Sequence, residues 1–129
     1  MGHHPASELK RRMPTLFNDM YKFSIVRNPY KRLISTYDFI KSKGTTHGWV
    51  NWYKEYDDKS FNNFQSFVLD WLPKYGIDKT GLLLKKQSSY LFDEKDSSLV
   101  DFIGRLEDLE DVNIILSKKL NRKVSIPHI

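Results

Sequence analysis

The sequence contains no cysteine. This absence excludes disulfide bonds, thiolate metal sites and a cysteine nucleophile, and it leaves the redox compartment open. The chain also lacks a long apolar run, because the longest one, around residues 81–84, is far shorter than the ~20 residues that span a bilayer. Near the N-terminus, Glu8, Lys10 and Arg11 stand where a secretory signal would need an apolar stretch. We therefore expect a soluble, cytoplasmic protein without a membrane span.

The composition is that of a folded, basic protein. The chain has 129 residues, of which 40% are hydrophobic and 14% aromatic. This is enough for one core, so we expect a single domain over residues 1–129. The net charge is +5, with a pI near 9.3. Such a charge favours anionic ligands such as nucleotides, nucleic acids or sulfated sugars, but a basic, solvated surface explains it equally well.

The first part of the chain predicts a helix, a strand and a second helix. Residues 7–13 (SELKRRM) have the pattern of a short helix, with Ser7 as its N-cap and Pro14 as its stop. Residues 21–26 (YKFSIV) predict a short strand, because apolar and β-branched side chains suit a pleated surface. A second helix is predicted to begin at Pro29, where the missing N–H of proline costs nothing.

This second helix has an apolar face. Asn28 can cap its N-terminus, and Gly44 is expected to end it. Its apolar residues recur at helical spacing, so we expect them to pack on the sheet. They are Tyr30, Leu33, Ile34 and Tyr37.

The middle of the chain is rich in aromatic residues. Residues 45–59 show no clear periodicity and predict a loop or lid. Its aromatic residues are Trp49, Trp52, Tyr53 and Tyr56. These rings either stack on the apolar face of a sugar or pack in a core.

A third helix is predicted to start at Ser60 and to stop at Pro73. Its apolar stripe faces the core. The stripe consists of Phe61, Phe64, Phe67, Val68 and Trp71. A turn-rich connection is expected over residues 75–86.

The last part of the chain predicts a second strand and a last helix. Residues 99–103 (LVDFI) read as a buried strand, and Gly104 and Arg105 are expected to form the turn into a helix over residues 109–120. The tail, residues 123–129, is expected to be extended. The alternation of strands and helices predicts an α/β fold, with a parallel sheet flanked by helices.

Residues 23–37 (FSIVRNPYKRLISTY) run from an apolar strand through an Arg-Asn-Pro turn into a helix. Many α/β proteins hold a phosphate at such a helix N-terminus, because free N–H groups and the helix dipole favour an anion. The stretch resembles the 3′-phosphoadenosine-binding segment of the sulfotransferases, especially of their carbohydrate branch. The resemblance implies that Arg27 and Ser35 grip the 3′-phosphate of the co-substrate, 3′-phosphoadenosine-5′-phosphosulfate. An arginine can direct two N–H groups at phosphate oxygens, and a serine adds a neutral donor.

Three further segments follow the order of that family, so the resemblance extends from about His3 to His128. They are residues 3–10 (HHPASELK), 86–91 (KQSSYL) and 100–109 (VDFIGRLEDL). By resemblance, a histidine ahead of the strand is the base that removes the acceptor proton, and His3 and His4 are the candidates. A histidine with a pKa near 6.5 suits this transfer. The resemblance also places Gln87 and Arg105 beside the donor.

Each of these residues has a second interpretation. His3 and His4 lie near a terminus that can fray. Gln87 either contacts the donor or acceptor or is an ordinary exposed amide. Arg105 either reaches a phosphate or sugar or pairs with the acidic residues that follow it.

Two features depart from the family. The P-loop-like segment that supplies a lysine and hydroxyl groups to the 5′-phosphosulfate should precede His3, where this sequence has no room for it. We therefore expect a partial P-loop-type sulfotransferase fold, truncated at the N-terminus and perhaps at the C-terminus. Leu106 also stands where relatives usually carry an aromatic residue. No metal site is expected, because the histidines lack a paired spacing and the acidic residues are scattered.

The leading functional hypothesis is transfer of a sulfuryl group from 3′-phosphoadenosine-5′-phosphosulfate to a hydroxyl of a saccharide. A second is a catalytically inactive remnant that still binds the nucleotide, which the expected loss of the 5′-phosphosulfate loop favours. A third, a basic nucleic-acid-binding module, is disfavoured because the basic residues are dispersed and no such motif is present. We expect no nucleic-acid partner.

Overall fold

The computed structural model describes residues 4–42, 54–76 and 81–127. The chain divides into two compact units. The first unit comprises Met1–Asn28 and Gln87–Ile129, and the second comprises Pro29–Lys86. Among the described residues, no helix is both long and apolar enough to cross a bilayer.

A parallel pair of strands forms the centre of the first unit. Strand β1 is Phe23–Val26 and strand β2 is Phe102–Arg105. They pair in register, with Phe23 opposite Phe102 and Val26 opposite Arg105. The predicted α/β class with a parallel sheet is therefore confirmed.

The predicted bounds of β2 were wrong. Residues 99–101 precede the strand, and the expected turn residues Gly104 and Arg105 belong to it. The reason lies in the local hydrogen bonds. The Leu99 N–H donates to the Leu91 carbonyl at 2.8 Å, next to an antiparallel bridge between Phe92 and Ser98, so Leu99 is buried outside the parallel pair.

Lys22 and Asp101 hold the two strands together at their amino ends. The Lys22 N–H donates to the Asp101 carboxylate at 2.7 Å, and the Asp101 N–H donates to the Lys22 carbonyl at 2.8 Å. The Lys22 ammonium lies 3.0 Å from the same carboxylate. These bonds to the backbone N–H and ammonium of Lys22 lower the pKa of Asp101.

Helix α8 covers one face of this sheet. A 3₁₀ turn, Leu106–Asp108, leads into α8, Leu109–Lys119. The buried residues of the helix are Leu109, Val112 and Leu116, which pack with Tyr21, Ile25, Phe102, Leu106, Val124 and Ile126. A Cβ at Gly104 would lie 2.5 Å from Val112 Cγ2. Glycine is needed here because the helix approaches the strand so closely.

The described part of the tail, residues 123–127, has no regular secondary structure and lies along α8. The Val124 N–H donates to the Ser117 hydroxyl at 2.8 Å. The Ile126 N–H donates to the Asn113 side chain at 2.9 Å.

Two short helices precede β1. Helix α1 is Ala6–Arg12 and helix α2 is Pro14–Asp19. Ser7 lies inside α1, and the N-cap position belongs to Pro5, which makes no side-chain cap. The predicted Ser7 cap was therefore wrong. Pro14 ends α1 as expected, but it also begins α2, because proline fits the first position of a helix. Helix α7, Ser88–Leu91, contacts α1.

The second unit begins with helix α3, Pro29–Lys41. The predicted end at Gly44 lies outside the described residues. Two of the four predicted core residues were wrong, because Tyr30 is 78% exposed and Ile34 is 47% exposed. The buried stripe is rotated away from them. It consists of Leu33, Thr36, Tyr37 and Ile40.

The predicted helix from Ser60 to Pro73 is later and more irregular than expected. Lys59–Phe61 is a 3₁₀ turn capped by Asp58. The helix proper has three parts, α4 (Phe64–Ser66), a π-helical turn (Phe67–Trp71) and α5 (Leu72–Tyr75). Pro73 does not stop it. The wide π turn ends just before Pro73, which occupies the start of the next turn, where a missing N–H is tolerated.

An aromatic cluster fills the core of the second unit. Phe67 and Trp71 are fully buried. The Trp71 ring lies 5.0–5.6 Å, centroid to centroid, from the rings of Tyr56, Phe61, Phe67 and Tyr75. Its Nε1–H donates to the Glu55 carbonyl at 2.6 Å, so the indole is satisfied as well as packed.

These contacts also decide some of the earlier alternatives. Tyr37 lies in the same cluster, and its burial raises the pKa of its hydroxyl. Tyr56 packs in this core. Trp49, Trp52 and Tyr53 lie outside the described residues, as does part of the predicted turn-rich connection, in which helix α6 is Gly81–Leu84.

Candidate functional site

The carboxyl end of β1 is held by the side chain of Gln87. The Arg27 N–H donates to Gln87 Oε1 at 2.9 Å. Gln87 Nε2 donates back to the Arg27 carbonyl at 2.8 Å. A single planar carboxamide therefore satisfies both backbone groups of the residue that follows the strand. Gln87 is the N-cap residue of α7, so this contact ties the strand end to a helix of the same unit.

The next residue is held in a similar way. The Asn28 N–H donates to Glu107 Oε1 at 3.0 Å. Glu107 lies in the 3₁₀ turn after β2. Two consecutive backbone N–H groups at the end of β1 are thus bound by side chains from two other segments. The bond between Asn28 and Glu107 joins residues that are 79 positions apart.

The guanidinium groups at this end of the sheet differ from these backbone groups, because the described residues offer them no partner. Arg27 is half-buried and Arg105 is exposed. In the part of the chain that the structure describes, neither guanidinium makes a hydrogen bond or an ion pair. The alternative in which Arg105 pairs with the acidic residues that follow it is therefore not found. Because Arg105 is the register partner of Val26, both arginines lie at the carboxyl end of the parallel strands, where α/β sheets bind ligands.

Arg32, five positions before the end of residues 23–37, has a hydrogen-bond partner within the protein. Its guanidinium donates to the Leu83 carbonyl at 2.8 Å within the second unit. Ser35 also belongs to the second unit, where it is exposed on α3. Its hydroxyl has no hydrogen-bond partner among residues 4–42, 54–76 and 81–127. The pairing of Ser35 with Arg27 on one phosphate stays a prediction.

His4 is the described member of the predicted histidine pair, and His3 lies outside the described residues. His4 Nδ1 lies 2.9 Å from Glu8 Oε2. This contact is the main cause that lowers the pKa of the Glu8 carboxyl, and Arg12 contributes. With Nδ1–H donating to the carboxylate, Nε2 is the nitrogen that can accept a proton. His4 precedes α1, the helix that contacts α7.

The predicted site residues therefore differ in their contacts and in their positions relative to the sheet. The structure joins Gln87 to Arg27, places Arg105 at the same sheet end, and leaves the catalytic or binding role of each as a prediction. Sequence reasoning missed two features, the bond of Gln87 to the backbone and the role of Glu107. Glu107 lies in residues 100–109, a segment of the resemblance, but no pattern indicated which backbone N–H it holds.

An open groove of about 520 Å³ lies in the first unit beside this end of the sheet, at the start of α8. Its lining is largely acidic, with Glu107, Asp108, Glu110 and Asp111, so it does not suit an anionic nucleotide. No group of three or more potential metal ligands is present among the described residues.

Comparison with known protein families gives a match over nearly the whole chain. The model of the sulfotransferase family matches residues 3–128. This range contains every predicted site residue and spans both units. No curated protein and no solved structure matches the chain.

Proposed function

Because the chain belongs to the sulfotransferase family, whose members transfer sulfuryl groups, we propose that it uses 3′-phosphoadenosine-5′-phosphosulfate as donor and a saccharide hydroxyl as acceptor. One observation supports the donor more than any other. The Arg27 guanidinium, at the carboxyl end of a parallel strand, has no partner among the described residues, while the backbone of the same residue is bound on both sides.

The chemistry of Arg27 suits a phosphate. An arginine guanidinium is positive and can direct two N–H groups at two oxygens. A half-buried setting makes such a charge-assisted pair stronger than it would be in bulk water. Arg105, at the same sheet end, adds a second positive charge that favours an anion. Ser35, with a free hydroxyl among the described residues, keeps the role of neutral donor that the resemblance implies.

The acceptor requires a base. We assign this role to His4, or to His3, whose setting is not described. The His4 contact with Glu8 orients the imidazole so that Nε2 can take the proton of the acceptor hydroxyl. The acceptor oxygen then bonds to sulfur as the bond between sulfur and the 5′-phosphate oxygen breaks. The products are a sulfate ester and adenosine 3′,5′-bisphosphate, and the proton stays on the histidine until solvent removes it.

Arg27→Ala tests the donor site. We expect it to weaken the binding of adenosine 3′,5′-bisphosphate by about 1.5–3 kcal/mol, the scale of a hydrogen bond to a charged group. Isothermal titration calorimetry measures this affinity. Ser35→Ala should lose less, because its hydroxyl is neutral. Arg122→Ala is the control, since Arg122 is an exposed arginine of the first unit that follows the C-terminus of α8 and not a strand.

Two results would contradict the donor assignment. One is unchanged affinity in Arg27→Ala, and the other is an equal loss in the Arg122→Ala control. The salt dependence of binding distinguishes the nucleic-acid hypothesis from the donor site, because the affinity for nucleic acid falls steeply as the salt concentration rises. Transfer itself is measured with radiolabelled sulfate on the donor and a panel of saccharides. Nucleotide binding without any transfer would favour the inactive, nucleotide-binding alternative.

A further inference from the structure

We propose that Gln87 is a positioning residue for Arg27 and thereby sets the preference of the protein for nucleotides that carry a 3′-phosphate. The inference rests on the proposed function, in which Arg27 binds that phosphate. It assigns Gln87 no direct contact with the nucleotide. The observation that carries it is the pair of hydrogen bonds, 2.9 and 2.8 Å long, between one carboxamide and both backbone groups of Arg27.

The two bonds fix the orientation of Arg27 in a way that one bond would not. Oε1 and Nε2 belong to one planar group, so the N–H and the carbonyl that they bind must face the same side of the chain. This is the pairing that a neighbouring strand would provide. The Gln87 bonds therefore continue the strand-like pairing of β1 to Arg27, one residue beyond Val26, where the strand ends. The Cα–Cβ bond of Arg27 then has a defined direction.

Gln87 is itself well anchored. It stands at the N-cap position of α7 with a helical backbone, φ −61° and ψ −37°. Leu91 in that helix is buried, and its carbonyl accepts the Leu99 N–H at 2.8 Å. A side chain that projects from a packed element holds its partner more firmly than one on a free loop. Glu107 binds the Asn28 N–H, which belongs to the same peptide group as the Arg27 carbonyl.

The oxygen and the nitrogen of the Gln87 carboxamide both bind the backbone of Arg27. These bonds give the side chain a structural role that needs no contact with a ligand. The Arg27 guanidinium, by contrast, has no partner among the described residues that would hold its direction. Its aim therefore depends on its backbone. Removing the carboxamide frees the two backbone groups, and the arginine samples directions that do not reach the phosphate.

The test compares two nucleotides that differ in the 3′-phosphate. They are adenosine 3′,5′-bisphosphate and adenosine 5′-monophosphate, titrated into the full chain by calorimetry. Gln87→Met keeps the length of the side chain and removes its hydrogen bonds. We expect it to bind the bisphosphate about tenfold more weakly, because the apparent affinity falls with the fraction of molecules in which Arg27 points at the phosphate. The monophosphate should bind within about twofold of the wild type, because it has no 3′-phosphate for Arg27 to hold.

The ratio of the two affinities separates positioning from general damage. A variant that is merely destabilised binds both nucleotides less well, and the ratio stays constant. Gln87→Ala is the second variant, in case the methionine packs poorly. Gln65→Ala is the matched control, because Gln65 is the other glutamine of the chain and is exposed on α4. It should change neither affinity.

A double-mutant cycle with Arg27→Ala tests whether Gln87 acts through the arginine. If it does, adding Gln87→Met to Arg27→Ala causes less than about a twofold further loss of bisphosphate affinity. If the two losses multiply, Gln87 contacts the nucleotide directly and the inference is wrong.

The failures are distinguishable. Unchanged bisphosphate affinity in Arg27→Ala overturns the proposed donor site and the inference with it. A loss in Arg27→Ala together with an unchanged affinity ratio in both Gln87 variants overturns the inference alone. A lowered ratio in Gln87→Met with a non-additive cycle supports both.

Discussion

Each of the two units of this chain is stabilised internally by a different kind of contact. In the first unit, side chains bind the backbone at both ends of a short parallel sheet. Asp101 holds Lys22 at the amino end of β1, and Gln87 and Glu107 hold the two residues after its carboxyl end. In the second unit, the central contacts join aromatic rings, with Trp71 touching four others.

These two kinds of contact differ in which side chains they leave free to bind a ligand. Backbone hydrogen bonds are short and directional, so they fix a peptide accurately while burying little apolar surface. Among the described residues, the guanidinium groups of Arg27 and Arg105 beside these bonds have no partner. Aromatic packing contributes more stabilising free energy per residue, but the packed rings are buried and cannot contact a ligand. We therefore expect substitutions in the second unit to affect stability most, and substitutions at the ends of the sheet to affect ligand binding most.

Trp71→Ala should give the largest loss of stability. The indole is fully buried and makes a 2.6 Å hydrogen bond to the Glu55 carbonyl. Its removal leaves a large cavity, and we expect the free energy of unfolding to fall by about 3–5 kcal/mol. Denaturant unfolding followed by circular dichroism measures this. Leu69→Ala is the control, because Leu69 lies in the same π turn but is 63% exposed. Equal losses in both variants would contradict the central role of the aromatic cluster.

Gly104→Ala tests the close packing of the first unit and should cost less. The new methyl group would lie 2.5 Å from Val112 Cγ2, so helix α8 or the strand must shift. Overpacking of this kind costs about 1–3 kcal/mol. Val112→Ala creates room at the same place. The double variant should therefore lose less stability than the sum of the two single variants. Additive losses would show that the helix does not press on the strand at this point.

The sequence was most informative where one local pattern decides the structure. The apolar run of β1, the proline at the start of α3 and residues 109–120 predicted the strand, the beginning of α3 and the bounds of α8 closely. It was less informative where a distant contact decides. Gly104 was expected in a turn, and only its approach to Val112 explains a glycine inside a strand.

The same limit applies to the candidate site. The Arg-Asn-Pro turn was visible from the sequence, because strand, turn and helix are contiguous. The bond between Arg27 and Gln87 joins residues 60 positions apart, so no local spacing indicates it. Pro73 was misleading for a related reason, since it stands at the start of α5, directly after a π turn whose Phe67 and Trp71 are buried in the aromatic cluster.

Asp58 is the exception to the comparison, because it is a polar centre in the aromatic unit. Its carboxylate accepts hydrogen bonds from the Lys74 ammonium, the Ser60 hydroxyl and N–H, and the Tyr75 hydroxyl. These bonds, that from Lys74 above all, hold the pKa of Asp58 well below its ordinary value. The stabilisation is fully present above the unfolded-state pKa of about 3.9. It is lost as the pH falls below that value toward the folded-state pKa.

Asp58→Asn should therefore flatten the acid limb of the stability curve, and this is the smallest effect that we predict. The asparagine can still cap Lys59–Phe61, but it carries no charge to lose below pH ~4. The free energy of unfolding, measured by urea titration at several pH values between about 2 and 7, should fall less steeply with acid in the variant than in the wild type. The comparison of two proteins is necessary because Asp93 and Asp101 also have lowered pKa values and contribute to the acid limb of both. Lys74→Met should flatten the curve in the same direction, since it removes the main cause of the shift. Parallel curves for all three proteins would mean that the Asp58 contacts do not persist in solution, and the second unit would then depend on its aromatic rings alone.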